Sequence, residues 1–336
     1  MKVGVSYFGC RRLGHIEREL RELKAQGMDY LVFALTETDL LFYKDLMRRV
    51  LPRARELGLE VWADPWGVAG IFSGETASWF IPYHPKTWQV REDGVPVPHA
   101  CPNAPGTREF VRRWIDAAAA AGAQWVLWDE PHFWSPGSDY WPMRVAPGHW
   151  ACRCRYCREA FHRRYGHEMP QELTPEVEEF RRGALLSFLG ELLGYAKEKG
   201  LGNAVCWAPP EQLPGGLTLE DVLELDGLDV LAIDPYWMLV GRDVEDFFRP
   251  WLLRARELSR TRGKGLQVWL QGFRVPRGRE QELLEGARIA QDAGADYLAI
   301  WHHNGMSSLL PEDPAAVEGV IRGIIRLKSL SGRTGE

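Results

Sequence analysis

Hydrophobic positions along this chain switch between two periods. Short apolar runs of strand length alternate with longer segments whose apolar residues recur every three or four positions. The first pattern predicts buried strands and the second predicts amphipathic helices. Residues 2–8 read as a strand, and 12–26 as a helix with Leu13, Ile16, Leu20 and Leu23 on one stripe. The strand 29–35 precedes a helix over 39–57, closed by Gly58. The strand 59–63 then opens a long irregular stretch from Trp66 to Pro105. A helix over 107–121 leads into the strand 124–128, followed by a second loop over 134–150 and helices over 155–165 and 175–199. The second half alternates more tightly: strand 204–207, helix 218–225, strand 228–233, helix 243–261, strand 266–270, helix 279–293, and strand 296–301. A helix over 314–328 closes the series, with Val317, Val320, Ile321, Ile324 and Ile325 facing inward.

Strict alternation implies parallel strands joined by right-handed crossovers. Eight units in this length match a single α/β domain, a (β/α)8 TIM barrel over 1–330. Long insertions, 66–105 and 134–157, follow strands 3 and 4, and 331–336 reads as a flexible tail. A doubly wound open sheet is the alternative. No G-x-G-x-x-G follows the first strand, as dinucleotide binding would ask, and no organic cofactor is expected.

Three of the apolar runs end in an acid followed directly by proline: Asp64-Pro65, Glu130-Pro131 and Asp234-Pro235. Proline forces the chain out of a strand, so each acid sits at a strand end. With parallel strands, all three share the rim where α/β barrels build their sites. Rim positions also include Tyr7, Glu37, Trp66, Asp129, His132, Trp207, Tyr236, Trp237, Gln271, Arg274, Trp301, His302 and His303. Acids among aromatics suit glycosidic bond cleavage, in which one carboxyl group protonates the leaving oxygen and another supports the cationic sugar. Each has a plainer reading. Asp64 could cap the following segment, only one of Asp129 and Glu130 is expected to face the mouth, and the histidines could be simple hydrogen-bonding groups.

Composition narrows the class. The chain has 336 residues, 45% hydrophobic and 26% charged, with a formal net charge of -5. Mild acidity argues against a nucleic-acid partner. No apolar run approaches the roughly 18 residues of a membrane span, and the N-terminus has no signal-peptide pattern. A cytoplasmic protein is the expectation, and a homo-oligomer stays open. Tryptophan is in excess, at 15 of 336 residues. Flat rings pack on sugar C–H faces, which suits a carbohydrate partner, and an aromatic-rich core is the equal alternative.

Six cysteines are present, and three form Cys152-Arg153-Cys154-Arg155-Tyr156-Cys157. Structural zinc takes four tetrahedral ligands, and Cys101 is the natural fourth. A redox pair at Cys154 and Cys157 or an iron–sulfur cluster is the rival reading. Cys10 and Cys206 read as core thiols.

Cys101-Pro102-Asn103 before a helix, a strand ending in an acid pair, then Cys152-x-Cys154-x-x-Cys157-Arg158-x-x-Phe161 resembles the glycoside hydrolase family 42 β-galactosidases over about residues 98–165. The resemblance implies a clan A barrel, a zinc site at Cys101, Cys152, Cys154 and Cys157, and Glu130 as general acid/base. Two positions depart from it. Asp129 stands where the family has asparagine, and Gln271 stands where the family has its nucleophilic glutamate. An amide cannot act as that nucleophile, so Asp234 becomes the expected second carboxylate. Retaining, inverting and substrate-assisted routes all stay open. Asp64, Trp66, Asp129, His132, Trp207, Tyr236, Trp237, Gln271, Trp301 and His302 are the expected sugar contacts. The alternatives are a non-catalytic sugar-binding barrel, or a metal-dependent hydrolase using His132 or His302 with Asp64.

Overall fold

The computed structural model describes all residues except 9–10, 137–147, 214–215, 302–309 and 332–336. Eight parallel strands close into a barrel, each hydrogen-bonded to its neighbours in the chain, with the first joined to the last. In order they are Lys2–Tyr7, Tyr30–Ala34, Glu60–Asp64, Trp125–Trp128, Gly202–Trp207, Val230–Ile233, Gly265–Gln271 and Tyr297–Trp301. Helices follow the strands, as the alternation predicts. The fold class is therefore the (β/α)8 barrel, and the open-sheet alternative falls.

The barrel interior is unusually aromatic. Tyr30, Trp62, Leu127 and Trp269 fill it with small partners such as Ala204, Ala232 and Ala299. Trp62 and Trp125 stack with ring centroids 4.9 Å apart. Two glycines make this possible. A Cβ at Gly4 would lie 2.6 Å from the Tyr30 ring, and one at Gly202 would lie 2.3 Å from Trp125. Small residues on some strands thus admit large ones from others, which keeps the interior at crystal-like density. Trp114, Trp128 and Trp237 are buried in the larger layer between strands and helices. Most of the tryptophan excess is core.

Several boundaries differ from the sequence reading. The helix expected over 39–57 is two, Glu37–Phe42 and Lys44–Glu56. A capping box starts the first of them early, with Asp39 and Thr36 each satisfying the other's backbone N–H. The stretch 66–105 is not irregular. It holds a short helix, Phe80–Tyr83, and an antiparallel hairpin of Trp88–Val90 and Pro96–Ala100. Alternation over so few residues, broken by prolines, hid that hairpin. The helix expected over 243–261 begins as a π turn, Val244–Phe248, before Arg249–Thr261. The last helix runs Pro314–Ser331, so the expected tail loses its first residue to the helix, and the rest of it lies outside the described residues.

The hairpin joins the two insertions. Arg153 N–H donates to the Val90 carbonyl at 2.7 Å, and the Gln89 amide oxygen accepts from Trp134 N–H at 3.0 Å. Cys101 directly follows the second hairpin strand and so arrives beside the Cys152–Cys157 run. Among the described residues no helix is long and apolar enough to cross a membrane.

Candidate active site

A cleft of about 610 Å³ opens at the C-terminal ends of the strands, where barrels of this kind carry their chemistry. Asp129, Glu130 and Asp234 line it, together with Trp66, Tyr236 and Trp301. Both members of the Asp129–Glu130 pair face the cleft, which corrects the expectation that only one would. The cause is local. Glu130 takes a left-handed backbone with φ of 37°, which breaks the strand alternation that would have sent it outward. Such a conformation costs about 1–3 kcal/mol in a residue other than glycine and collects at functional positions.

Glu130 is held from the loop after the third strand. The Ser73 hydroxyl donates to its Oε2 at 2.5 Å. The Asp234 carboxyl group lines the same cleft. Burial is the main cause that pushes the Asp234 carboxyl far above the usual range, followed by the Glu130 carboxylate near it. Asp234 Oδ1 meets no hydrogen-bond donor among the described residues.

Three further carboxyl groups stand beside this pair. Asp64 is fully buried, and neither of its oxygens meets a donor among the described residues. It therefore caps nothing. Burial raises its pKa well above the ordinary value, and the charges of Asp129, Glu75 and Glu130 add to this. Asp129 is raised by burial and by Glu130 and Glu75, against a hydrogen bond from the Cys206 thiol. Glu75, unremarked in the sequence, also lines the cleft. Burial raises it, while Arg274 and the Trp66 indole N–H pull the other way. No acid–proline ending marks Glu75, because it lies inside a long loop. Its only sequence signal is the Ser73-Gly74-Glu75 turn.

The aromatic expectations divide. Trp66 and Trp301 line the cleft, with Phe8 edge-on to both at 4.7 and 5.1 Å. Trp237 does not. It is fully buried against Phe248 and donates its indole N–H to Glu282 at 2.7 Å. Trp207 lines a small separate recess, packs on Trp251 and donates to the Leu217 carbonyl at 2.8 Å. Neither can stack on a ligand in the main cleft. Trp269, expected only as strand, reaches the cleft floor, and its indole N–H has no acceptor among the described residues.

Gln271 is also off the cleft. Its amide accepts from Leu239 N–H at 3.1 Å and donates to the Phe273 carbonyl at 3.0 Å, so it braces two loops. Glu37 is likewise structural, accepting from Ala69 N–H, the Ser78 hydroxyl and Phe80 N–H at 2.7–2.8 Å. Tyr7 is buried and donates to Glu19 at 2.5 Å. His132 lines the cleft and donates Nδ1–H to the Glu130 carbonyl at 2.7 Å, and burial lowers its pKa. It holds the turn that presents Glu130. Cys206 is buried in the barrel core, as expected, and also borders the cleft. His302, His303 and Cys10 lie outside the described residues.

Cys101, Cys152, Cys154 and Cys157 are all buried, with their sulfurs within 4.8 Å of one another. A tetrahedral zinc–sulfur set would space them about 3.8 Å apart, and Cys101 and Cys157 are 3.5 Å apart. Asn103 Nδ2 donates to the Cys157 sulfur at 3.3 Å, and Cys154 N–H to the Cys152 sulfur at 3.4 Å. Donors aimed at sulfur suit thiolates. Elsewhere among the described residues, ligand atoms gather this closely only at Glu92, Asp93 and His149, of which His149 also lines the cleft.

No family model matches the chain, and no curated protein matches it in sequence. Solved structures do match in fold. A β-galactosidase from the psychrophilic Marinomonas ef1 aligns over 100% of this chain and 60% of its own, with a TM-score of 0.72 and 14% identity. The endo-1,4-β-mannanase of Rhizomucor miehei aligns over 98% and 95%, with a TM-score of 0.66 and 8% identity. A D-psicose 3-epimerase from Clostridium cellulolyticum H10 aligns over 98% and 99%, with a TM-score of 0.55 and 10% identity. The chain spans about 60% of the length of the β-galactosidase. Hydrolases and an epimerase share this barrel, so the likeness shows the fold and leaves the reaction to the site.

Proposed function

We propose that this protein is a glycoside hydrolase in which Glu130 is the general acid/base and Asp234 the second carboxylate. The observation that carries the reading is the placement of both carboxyl groups on one cleft at the C-terminal ends of the strands, lined by Trp66, Trp301 and Tyr236. Glycoside hydrolysis needs one carboxyl group protonated and another ionised at the same pH. Glu130 is the less buried member and is fixed by Ser73, so it is the one placed to meet the glycosidic oxygen as the acid. Asp234 then supports the positive charge growing on the sugar.

Trp66 and Trp301 form the apolar wall on which a sugar ring stacks, and Tyr236 faces the cleft beside Phe273. The same reading assigns a structural zinc to Cys101, Cys152, Cys154 and Cys157. It would pin the two insertions beside the mouth without taking part in the chemistry.

The test is Glu130→Gln with aryl glycosides of graded leaving-group ability. Turnover should fall at least about a hundredfold for poor leaving groups, the scale of lost general acid catalysis, and less for good ones. Unchanged turnover of a poor-leaving-group substrate would remove Glu130 from the mechanism.

A further inference from the structure

One cation at the cleft is left unpaired among the described residues. Arg181 stands on the helix Pro175–Glu198, and its side chain borders the cleft with those of Trp150, Leu173 and Glu178. It is 9% exposed. Its Nε–H is buried with no acceptor, and no ion pair reaches the guanidinium, among the described residues. Glu178, one turn earlier on the helix, is exposed and acts on it through charge alone. Two rings stand where a counter-ion would. The guanidinium carbon lies 5.2 Å from the ring centroid of Phe133 and 5.8 Å from that of Trp150. Aromatic faces attract a cation but leave its N–H donors without an oxygen. Phe133 follows Glu130 by three residues, so the cation packs against the segment that presents the acid. Burying an arginine without a carboxylate is costly. The sulfurs of Cys152 and Cys157 favour its charge, yet neither takes a hydrogen bond from it. Balancing the cysteine cluster would not require the side chain to border the cleft.

We propose that the substrate carries a carboxylate, seated on the Arg181 guanidinium at the fourth-strand side of the cleft. This deepens the glycosidase reading and rests on it, naming its substrate class as glycosides that contain a uronic acid. The planar fork of arginine matches a planar carboxylate through two parallel N–H···O bonds. A neutral hydroxymethyl group in the same place offers a single weaker acceptor and leaves the buried charge unmatched. The acids of the cleft do not forbid such a ligand. Burial raises the proton affinity of Asp129 and Asp234, so they carry less negative charge than their number implies.

Binding is measured by calorimetry on the full chain with D-glucuronate, D-galacturonate and D-mannuronate, each beside its methyl ester and its parent hexose. At least one uronate should bind about tenfold or more tighter than both counterparts, about 1.4 kcal/mol. The ester keeps the ring and removes the charge, so this comparison reads the ion pair in the unaltered protein. Arg181→Met should abolish the preference, and Arg181→Lys, which keeps the charge and loses the fork, should retain only part of it. Equal binding of the three forms, tighter binding of an ester or hexose, no binding by any of the nine, or an undiminished preference in folded Arg181→Met overturns the proposal. Hydrolysis of aryl glycosides without uronate-selective binding overturns it while the glycosidase reading stands. Uronate-selective binding that Arg181→Met abolishes, without hydrolysis of any aryl glycoside, supports it and overturns that reading.

Discussion

The Ser73 hydroxyl and the Glu130 carboxylate are joined at 2.5 Å although 57 residues separate them in sequence. The contact ties the loop after the third strand to the turn that ends the fourth. Glu130 needs such a tie, because its φ of 37° is not one the backbone holds unaided. His132 anchors the same turn through the Glu130 carbonyl.

Ser73→Ala should therefore misplace Glu130 without unfolding the barrel. A hydrogen bond to a charged group contributes about 1.5–3 kcal/mol. The expected loss in kcat/KM toward a poor-leaving-group aryl glycoside is about ten- to a hundredfold. Circular dichroism should match the unaltered protein. Full activity in the variant would mean that the tie does not position the acid.

The cleft acids should make stability fall as pH rises. Burial gives Asp64, Asp129 and Asp234 raised proton affinity in the folded state. The folded protein thus binds more protons than the unfolded chain, and ∂ΔG/∂pH of unfolding is negative. Their contribution is fully present below the ordinary carboxylate range, about pH 4, and is lost as pH climbs through the raised folded values. Asp64→Asn keeps the shape and removes one ionisation. Its melting temperature should exceed that of the unaltered protein, with the gap widening toward alkaline pH. A constant or narrowing gap would show that Asp64 ionises freely.

Much of this architecture was legible in residues that announce themselves locally. The acid–proline endings at Asp64, Glu130 and Asp234 all proved to be strand termini at one rim, because proline leaves a strand no way to continue. The cysteine cluster was legible for a similar reason, since three of its members sit within one short run. What was hidden depends on distant partners. Nothing near Trp237 in sequence reveals Glu282 or Phe248, which bury it. Gln271 sits at the end of the seventh strand, and only the Leu239 and Phe273 backbones show that its amide is occupied. Glu75 was invisible because its neighbours in space, Asp129 and Glu130, lie across two loops.

The four cysteines should bind about one zinc per chain, measured by elemental analysis of protein purified without added metal. Cys157→Ser should lose the metal and lower the melting temperature, since the cluster closes both insertions over the hairpin. Chelator treatment of the unaltered protein should reproduce that shift. Absence of bound metal, with unchanged melting after chelation, would leave the cysteines as plain core thiols.

Two tryptophans at neighbouring depths should respond in opposite ways. Trp301 ends the eighth strand, is partly exposed and borders the cleft. Trp301→Ala should raise KM for an aryl glycoside by about tenfold while kcat changes less, because a stacking face binds ground state and transition state alike. Trp237 lies in the layer outside the strands, where its ring meets Gly286 and its indole N–H satisfies Glu282. Trp237→Phe removes that donor while Arg279 still pairs with both Glu282 oxygens, so it should cost only about 0.5–1.5 kcal/mol of stability, with KM unchanged. A rise in KM for Trp237→Phe, matching that of Trp301→Ala, would return Trp237 to the sugar site.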